Sequence, residues 1–116
     1  ADMNLIREKS LKLCDLFIQL IEERLNGYDF KIVTPREHSR RGSQVSISSE
    51  NSFPIMQAVI DAGVIGDFRA PDIMRFGFTP LYVSYVNVWD AIERLEKILE
   101  TGSWDDPKFK QVGAVT

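Results

Sequence analysis

Between residues 3 and 27 the chain places apolar side chains so densely that the polar ones shrink to a ribbon. Leu13, Phe17, Leu20 and Ile21 form one stripe, and Leu11, Cys14, Ile18 and Leu25 form a second. From 11 to 22 the polar positions are Lys12, Asp15, Gln19 and Glu22. Side chains three and four apart share a helix face, so this spacing predicts a helix. Asp2 or Asn4 can cap its start, and Asn26-Gly27 supplies a left-handed stop. A surface helix needs one apolar face; this one has more. It is either a core helix with elements on both sides, or part of its surface belongs against a domain or subunit outside the chain.

The period then shortens. "YDFKIVTP" reads as a short strand closed by Pro35, and "SQVSISS" alternates, with Val45 and Ile47 on one face and Gln44, Ser46 and Ser48 on the other. "PREHSRRG" between them is loop. Ser52 and Pro54 open a helix that Gly63 closes, and "VIGDFR" and "DIMRFGF" are two strands, or one bent around Ala70-Pro71. A last helix is predicted from Asn87, with Asp90 as a partial capping box. It buries Val88, Ile92, Leu95 and Leu99 and stops at Gly102. Trp104 and Phe109 are candidate docking points in the polar tail. The order helix, strand, strand, helix, strand, strand, helix predicts a two-layer α+β domain. A mostly antiparallel sheet of three or four strands carries helices on one face. The expected organisation of residues 1–116 is a leading helix over 1–27, the sheet and helices over 28–102, and a tail over 103–116.

Composition narrows the function classes. With 116 residues the chain is one domain, able to bury about two-thirds of its unfolded surface. A net charge of −3 argues against nucleic acid or an anionic membrane as the partner. The densest basic run, Arg36, Arg40 and Arg41 around His38, is diluted by Glu37 and reads as solvated loop. One cysteine, Cys14, excludes an internal disulfide and multi-cysteine zinc patterns, and its apolar neighbours suggest a buried thiol. No membrane span or signal peptide is visible, so the expected location is the cytoplasm. The chain begins with Ala1, which suggests processing or excision from something longer.

Catalytic constellations are nearly absent. There is no Gly-rich phosphate loop or nucleophile elbow, and a single histidine cannot serve a relay. Glu22-Glu23 and Glu93-Glu96 read as solvated helix faces, His38 as a surface residue, and Tyr82 and Tyr85 as strand-end tyrosines able to bond a ligand. Arg75 stands apart. In an extended "IMRFGF", Met74, Phe76 and Phe78 share the core face, while Ile73, Arg75 and Gly77 share the other. A guanidinium beside a glycine leaves open space for a carboxylate, whose geometry it matches. An arginine on the exposed face of a half-buried strand has the same pattern, and alternation leaves both readings open.

"GVIGDFRAPDIMRFGFTPLY" resembles the C-terminal region of kynureninases, through Gly63, Val64, Asp67, Arg69, Pro71, Arg75, Pro80, Leu81 and Tyr82. "TPREHSRRGSQVSI" is similar to that family's Thr-Pro loop and Arg-Gly-x-Gln strand, at Thr34, Pro35, Arg41, Gly42 and Gln44. The leading helix and the ending "GAVT" resemble bacterial members. The resemblance implies the small domain of a cytoplasmic, homodimeric enzyme of the aspartate-aminotransferase fold type. That enzyme uses pyridoxal phosphate to cleave kynurenine into anthranilate and alanine in tryptophan catabolism. It also implies that Arg75 binds the substrate's α-carboxylate. The cofactor lysine and the other catalytic groups belong to a large domain that the chain lacks. None of Lys9, Lys12, Lys31, Lys97, Lys108 and Lys110 sits in the cofactor-lysine motif, so no pyridoxal phosphate is expected on this chain alone. A face of the leading helix would then meet the large domain. Two other readings are the small domain of a relative such as a cysteine desulfurase, which shares the strand arginine but is disfavoured by Pro-Leu-Tyr, and a free-standing interaction module of the same fold.

Overall fold

A computed structural model describes residues 3–34, 44–78 and 84–111. The elements run α1 (Met3–Arg24), β1 (Lys31–Ile32), β2 (Gln44–Ser48), α2 (Ser52–Asp61), β3 (Gly66–Arg69), β4 (Ile73–Gly77) and α3 (Tyr85–Thr101). A 3₁₀ turn at Pro107–Phe109 follows. The four strands form one antiparallel sheet in the order β1-β2-β4-β3. The predicted element order and α+β class are therefore both present.

Alternation decides where the core lies. Val45 and Ile47 of β2 and Met74 and Phe76 of β4 are buried and stand in register, Val45 opposite Phe76 and Ile47 opposite Met74. All three helices cover that one face. Phe17 of α1 packs between Phe76 and Phe78, with both ring centroids 4.9 Å away. Val88, Ile92 and Leu95 of α3 and Ile55, Met56 and Val59 of α2 complete the layer. Arg24, at the end of α1, donates from Nη2 to Glu96 Oε1 of α3 at 2.6 Å, with its guanidinium 5.9 Å from the Trp89 ring centre.

One open reading is narrowed and three local expectations change. Most of both apolar stripes of α1 is buried within this chain: Leu13, Cys14, Phe17, Ile18, Leu20, Ile21 and Leu25 are in the core, while Leu11 of the second stripe is half-buried. Most of the second stripe is therefore met inside the chain, and Met3 and Leu5, in the first turn of α1, are exposed. Helix α1 already includes Asn4, so Asn4 is no cap, and Asp2 lies outside the described residues. Gly27 does not take a left-handed conformation; the chain turns through a Tyr28 N–H bond to the Leu25 carbonyl. Helix α3 starts at Tyr85, two residues earlier than expected, because Ser84 is its cap. The Ser84 hydroxyl accepts from the Asn87 N–H, and the Asn87 side chain accepts from the Ser84 N–H. Asn87 is thus the third residue of the helix. The inward positions of α3 are Val88, Ala91, Ile92, Leu95 and Ile98, with Leu99 at the margin.

Helix α2 ends as expected at Gly63. Val64 N–H bonds to the Val59 carbonyl and Gly63 N–H to the Ile60 carbonyl, with Gly63 at φ 95°. Gly102, at φ 67°, closes α3, and Trp104 and Phe109 dock against the core margin. The basic loop with His38, Pro35, Arg41 and Gly42, the Pro80-Leu81-Tyr82 stretch and the final "GAVT" lie outside the described residues.

One contact sets the spacing between β3, β4 and α2. A Cβ on Gly66 would meet the Arg75 carbonyl oxygen at 2.5 Å and the Met56 terminal methyl at 2.8 Å, whereas a Cβ on Gly77 would meet nothing within 4 Å. Gly66→Ala is expected to destabilise the fold by about 1–3 kcal/mol through overpacking, and Gly77→Ala to leave the denaturation midpoint nearly unchanged. Equal midpoint shifts for the two variants in urea denaturation would contradict this packing.

Candidate functional site

The face of the sheet opposite the helices carries Gln44, Ser46 and Ser48 of β2, Arg75 and Gly77 of β4, and Asp67 and Arg69 of β3. Burying Met74 and Phe76 on one side forces Arg75 to the other. Its side chain keeps 26% of its surface exposed. Register then supplies its neighbours: Asp67 stands directly opposite on β3 and Ser46 directly opposite on β2.

Asp67 grips Arg75 with both carboxylate oxygens. Arg75 Nε donates to Asp67 Oδ1 at 2.8 Å and Nη2 donates to Oδ2 at 2.7 Å. This is the paired, charge-assisted geometry that an arginine fork makes with a carboxylate. The bond from Arg75 holds the Asp67 carboxyl below its ordinary value of 3.8, and Arg69 nearby adds to the effect. The same bond pushes the Arg75 guanidinium further up. The fork is thus built for a carboxylate and has one on its side edge.

The residues of the two resembling stretches converge here. Thr34, which opens the Thr-Pro stretch, accepts the N–H of Ser46, the residue opposite Arg75 on β2, at 2.6 Å through its hydroxyl. Gln44 pairs with Gly77. The open space expected at Gly77 is real, but the cleft it borders is not Arg75's. That cleft, about 180 Å³, lies toward the start of α3, lined by Gly77, Phe78, Asn87 and Asp90 among others, with Arg75 not in its wall.

Elsewhere two readings change: Tyr85 is not at a strand end but in α3, and Glu96 is not solvated but half-buried in its pair with Arg24. Cys14 is buried, Glu23 accepts from Gln19 and Glu96 from Arg24, and Tyr85 is exposed in the first turn of α3. Tyr82 and His38 lie outside the described residues. Among the described residues no three His, Cys, Asp or Glu side chains gather as a metal site, and no helix is long and apolar enough to cross a membrane. The role of Asp67 as the partner of Arg75 is what sequence reading missed. A signal existed: Asp67 and Arg75 lie four residues on either side of Pro71, where a hairpin pairs them.

The pair makes a pH-dependent contribution of known sign. Because the folded-state pKa of Asp67 is lowered, its stabilisation is fully present above about 3.8 and is lost as pH falls through the lowered value. Asp67→Asn should therefore lower the urea midpoint slightly at neutral pH, since both groups are partly exposed. The difference from the unsubstituted chain should vanish in strong acid. A difference of the same size at both ends of the pH range would contradict the ion pair as its origin.

Comparison with known proteins identifies the family. Residues 6–95 match the family model described as the kynureninase C-terminal domain. The chain is 53% identical over all 116 residues to the kynureninases of Burkholderia mallei (strain SAVP1) and Burkholderia pseudomallei (strain K96243). To the kynureninase of Pseudomonas fluorescens it is 50% identical over the same length. It spans 28% of the length of each of these relatives. The match to these relatives spans the whole chain, and the chain belongs to the kynureninase C-terminal domain family.

Proposed function

We propose that the chain acts as the C-terminal domain of a kynureninase and that Arg75 binds the α-carboxylate of the substrate there. The observation that carries the reading is the unbroken match, 53% identity across all 116 residues. The complete enzyme would be a cytoplasmic homodimer that hydrolyses kynurenine to anthranilate and alanine. The family match favours this over a cysteine desulfurase.

The residues of this chain do not fit pyridoxal phosphate by themselves. The cofactor needs a lysine amine in an enclosed site, a carboxylate at its ring nitrogen and a cradle of donors for its phosphate. Lys12 pairs with Glu8 on an exposed helix face, Lys110 pairs with Asp105, Lys31 and Lys97 are exposed, and Lys9 lies half-buried on α1 and lines none of the clefts described. Lys108 borders a shallow cleft, but Asp61 and Asp106 line it too and would repel a phosphate. The cofactor therefore belongs to the remaining part of the enzyme in this reading. The contribution of this chain is recognition. A carboxylate on Arg75 fixes one end of the substrate and limits rotation about its Cα.

In a full-length kynureninase carrying this chain, Arg75→Ala should raise KM for kynurenine about tenfold or more, from the loss of charge-assisted bonds. Arg75→Lys should recover only part, because an ammonium lacks the planar fork. An unchanged KM and kcat would remove Arg75 from the site. The isolated chain should neither cleave kynurenine nor develop cofactor absorbance with pyridoxal phosphate. A yellow protein whose colour is fixed by borohydride would contradict the division of labour.

A further inference from the structure

We infer that Asp67 is a positioning residue for substrate recognition: it clamps the side edge of the Arg75 guanidinium so that the end edge is presented to the substrate's carboxylate. This rests on the reading of Arg75 above and goes beyond it to a second residue. A guanidinium carries five N–H donors in a rigid plane, and Asp67 takes two of them, on Nε and Nη2. Nε and Nη2 form the side edge. The end edge, made by Nη1 and the remaining Nη2 hydrogen, is a second parallel pair of donors. Among the described residues, no other side chain bonds to the Arg75 fork. One arginine can accordingly hold two carboxylates at once, one built in and one arriving.

Two further observations fit a built aiming device. An arginine loses several freely rotating torsions when it is ordered, and a substrate meeting a loose Arg75 would lose affinity to that ordering. The cross-strand position of Asp67 imposes the order beforehand, because β3 and β4 are locked in register from Gly66 to Arg69. A built-in carboxylate alone would also cancel the charge of Arg75 and discourage a second anion. Arg69, two residues along on the same face of β3, supplies the compensating positive charge and acts electrostatically on Asp67. The row therefore carries two cations and one anion, a net positive charge facing the incoming carboxylate.

The test uses the full-length holoenzyme and two competitive inhibitors of matched shape, one bearing an α-carboxylate and the other its decarboxylated amine. In Asp67→Asn the amide presents a donor to a donor, so one arm of the clamp fails and the fork tilts. Binding of the carboxylate inhibitor, and KM for kynurenine, should weaken about tenfold. Binding of the amine should be unchanged and kcat should change less than KM. Asp67→Glu, which restores the acceptor pair, should recover most of the loss. Equal weakening of both inhibitors would show a merely structural role and overturn the inference, as would unchanged or tighter binding of the carboxylate inhibitor. If Arg75→Ala also spares the carboxylate inhibitor, the reading of Arg75 itself fails. If Arg75→Ala weakens it and Asp67→Asn does not, only the role of Asp67 fails.

Discussion

The pleat of β4 is the constraint on which the rest depends. Met74 and Phe76 must face the helices, because Phe17 packs on Phe76 and the whole apolar layer closes over that side. A strand offers only two faces, so Arg75 has to take the other. With the helices on the apolar face, the opposite face of the sheet is left mostly to polar residues, with Ile73 and Gly77 among them. An arginine buried between two layers would need its whole charge compensated inside the protein. On the uncovered face, Arg75 needs only a partner that holds its direction, and Asp67 on the neighbouring strand is that partner.

How the pair is placed matters more than how strongly it holds. Arg75 and Asp67 keep 26% and 52% of their side-chain surface exposed, a setting in which ion pairs add little to stability. The fold is held by the burial of Phe17, Met56, Met74 and their neighbours. The pair thus fixes orientation at little cost to folding. In the proposed role of Arg75, substrate binding would draw on a guanidinium whose rotamer is already set.

Much of this was legible in the sequence because it follows from period. Helical spacing in α1, α2 and α3 and alternation in β2 and β4 each mark an apolar face, and the element order followed. Alternation alone also separated Arg75 from Met74 and Phe76. What period could not supply was partnership. The second stripe of α1 left a core position and an outside interface both open because periodicity counts apolar faces without saying which are met inside the chain; Cys14, Ile18 and Leu25 are met inside it. The start of α3 was set too late because the capping pair Ser84 and Asn87 was read one turn out of phase. Asp67 was missed as a partner because register was not carried across the Pro71 turn. The role expected of Arg75 came from family resemblance, since an exposed strand arginine has no signature of its own.

The most direct measurement is a crystal structure of a full-length kynureninase carrying this chain, with cofactor and a carboxylate-bearing competitive inhibitor bound. The account predicts the inhibitor's carboxylate on Nη1 and Nη2 of Arg75 at hydrogen-bond distance, with Asp67 still on Nε and Nη2. A carboxylate held by other residues, with Arg75 turned to solvent or bonded to Asp67 alone, would contradict it.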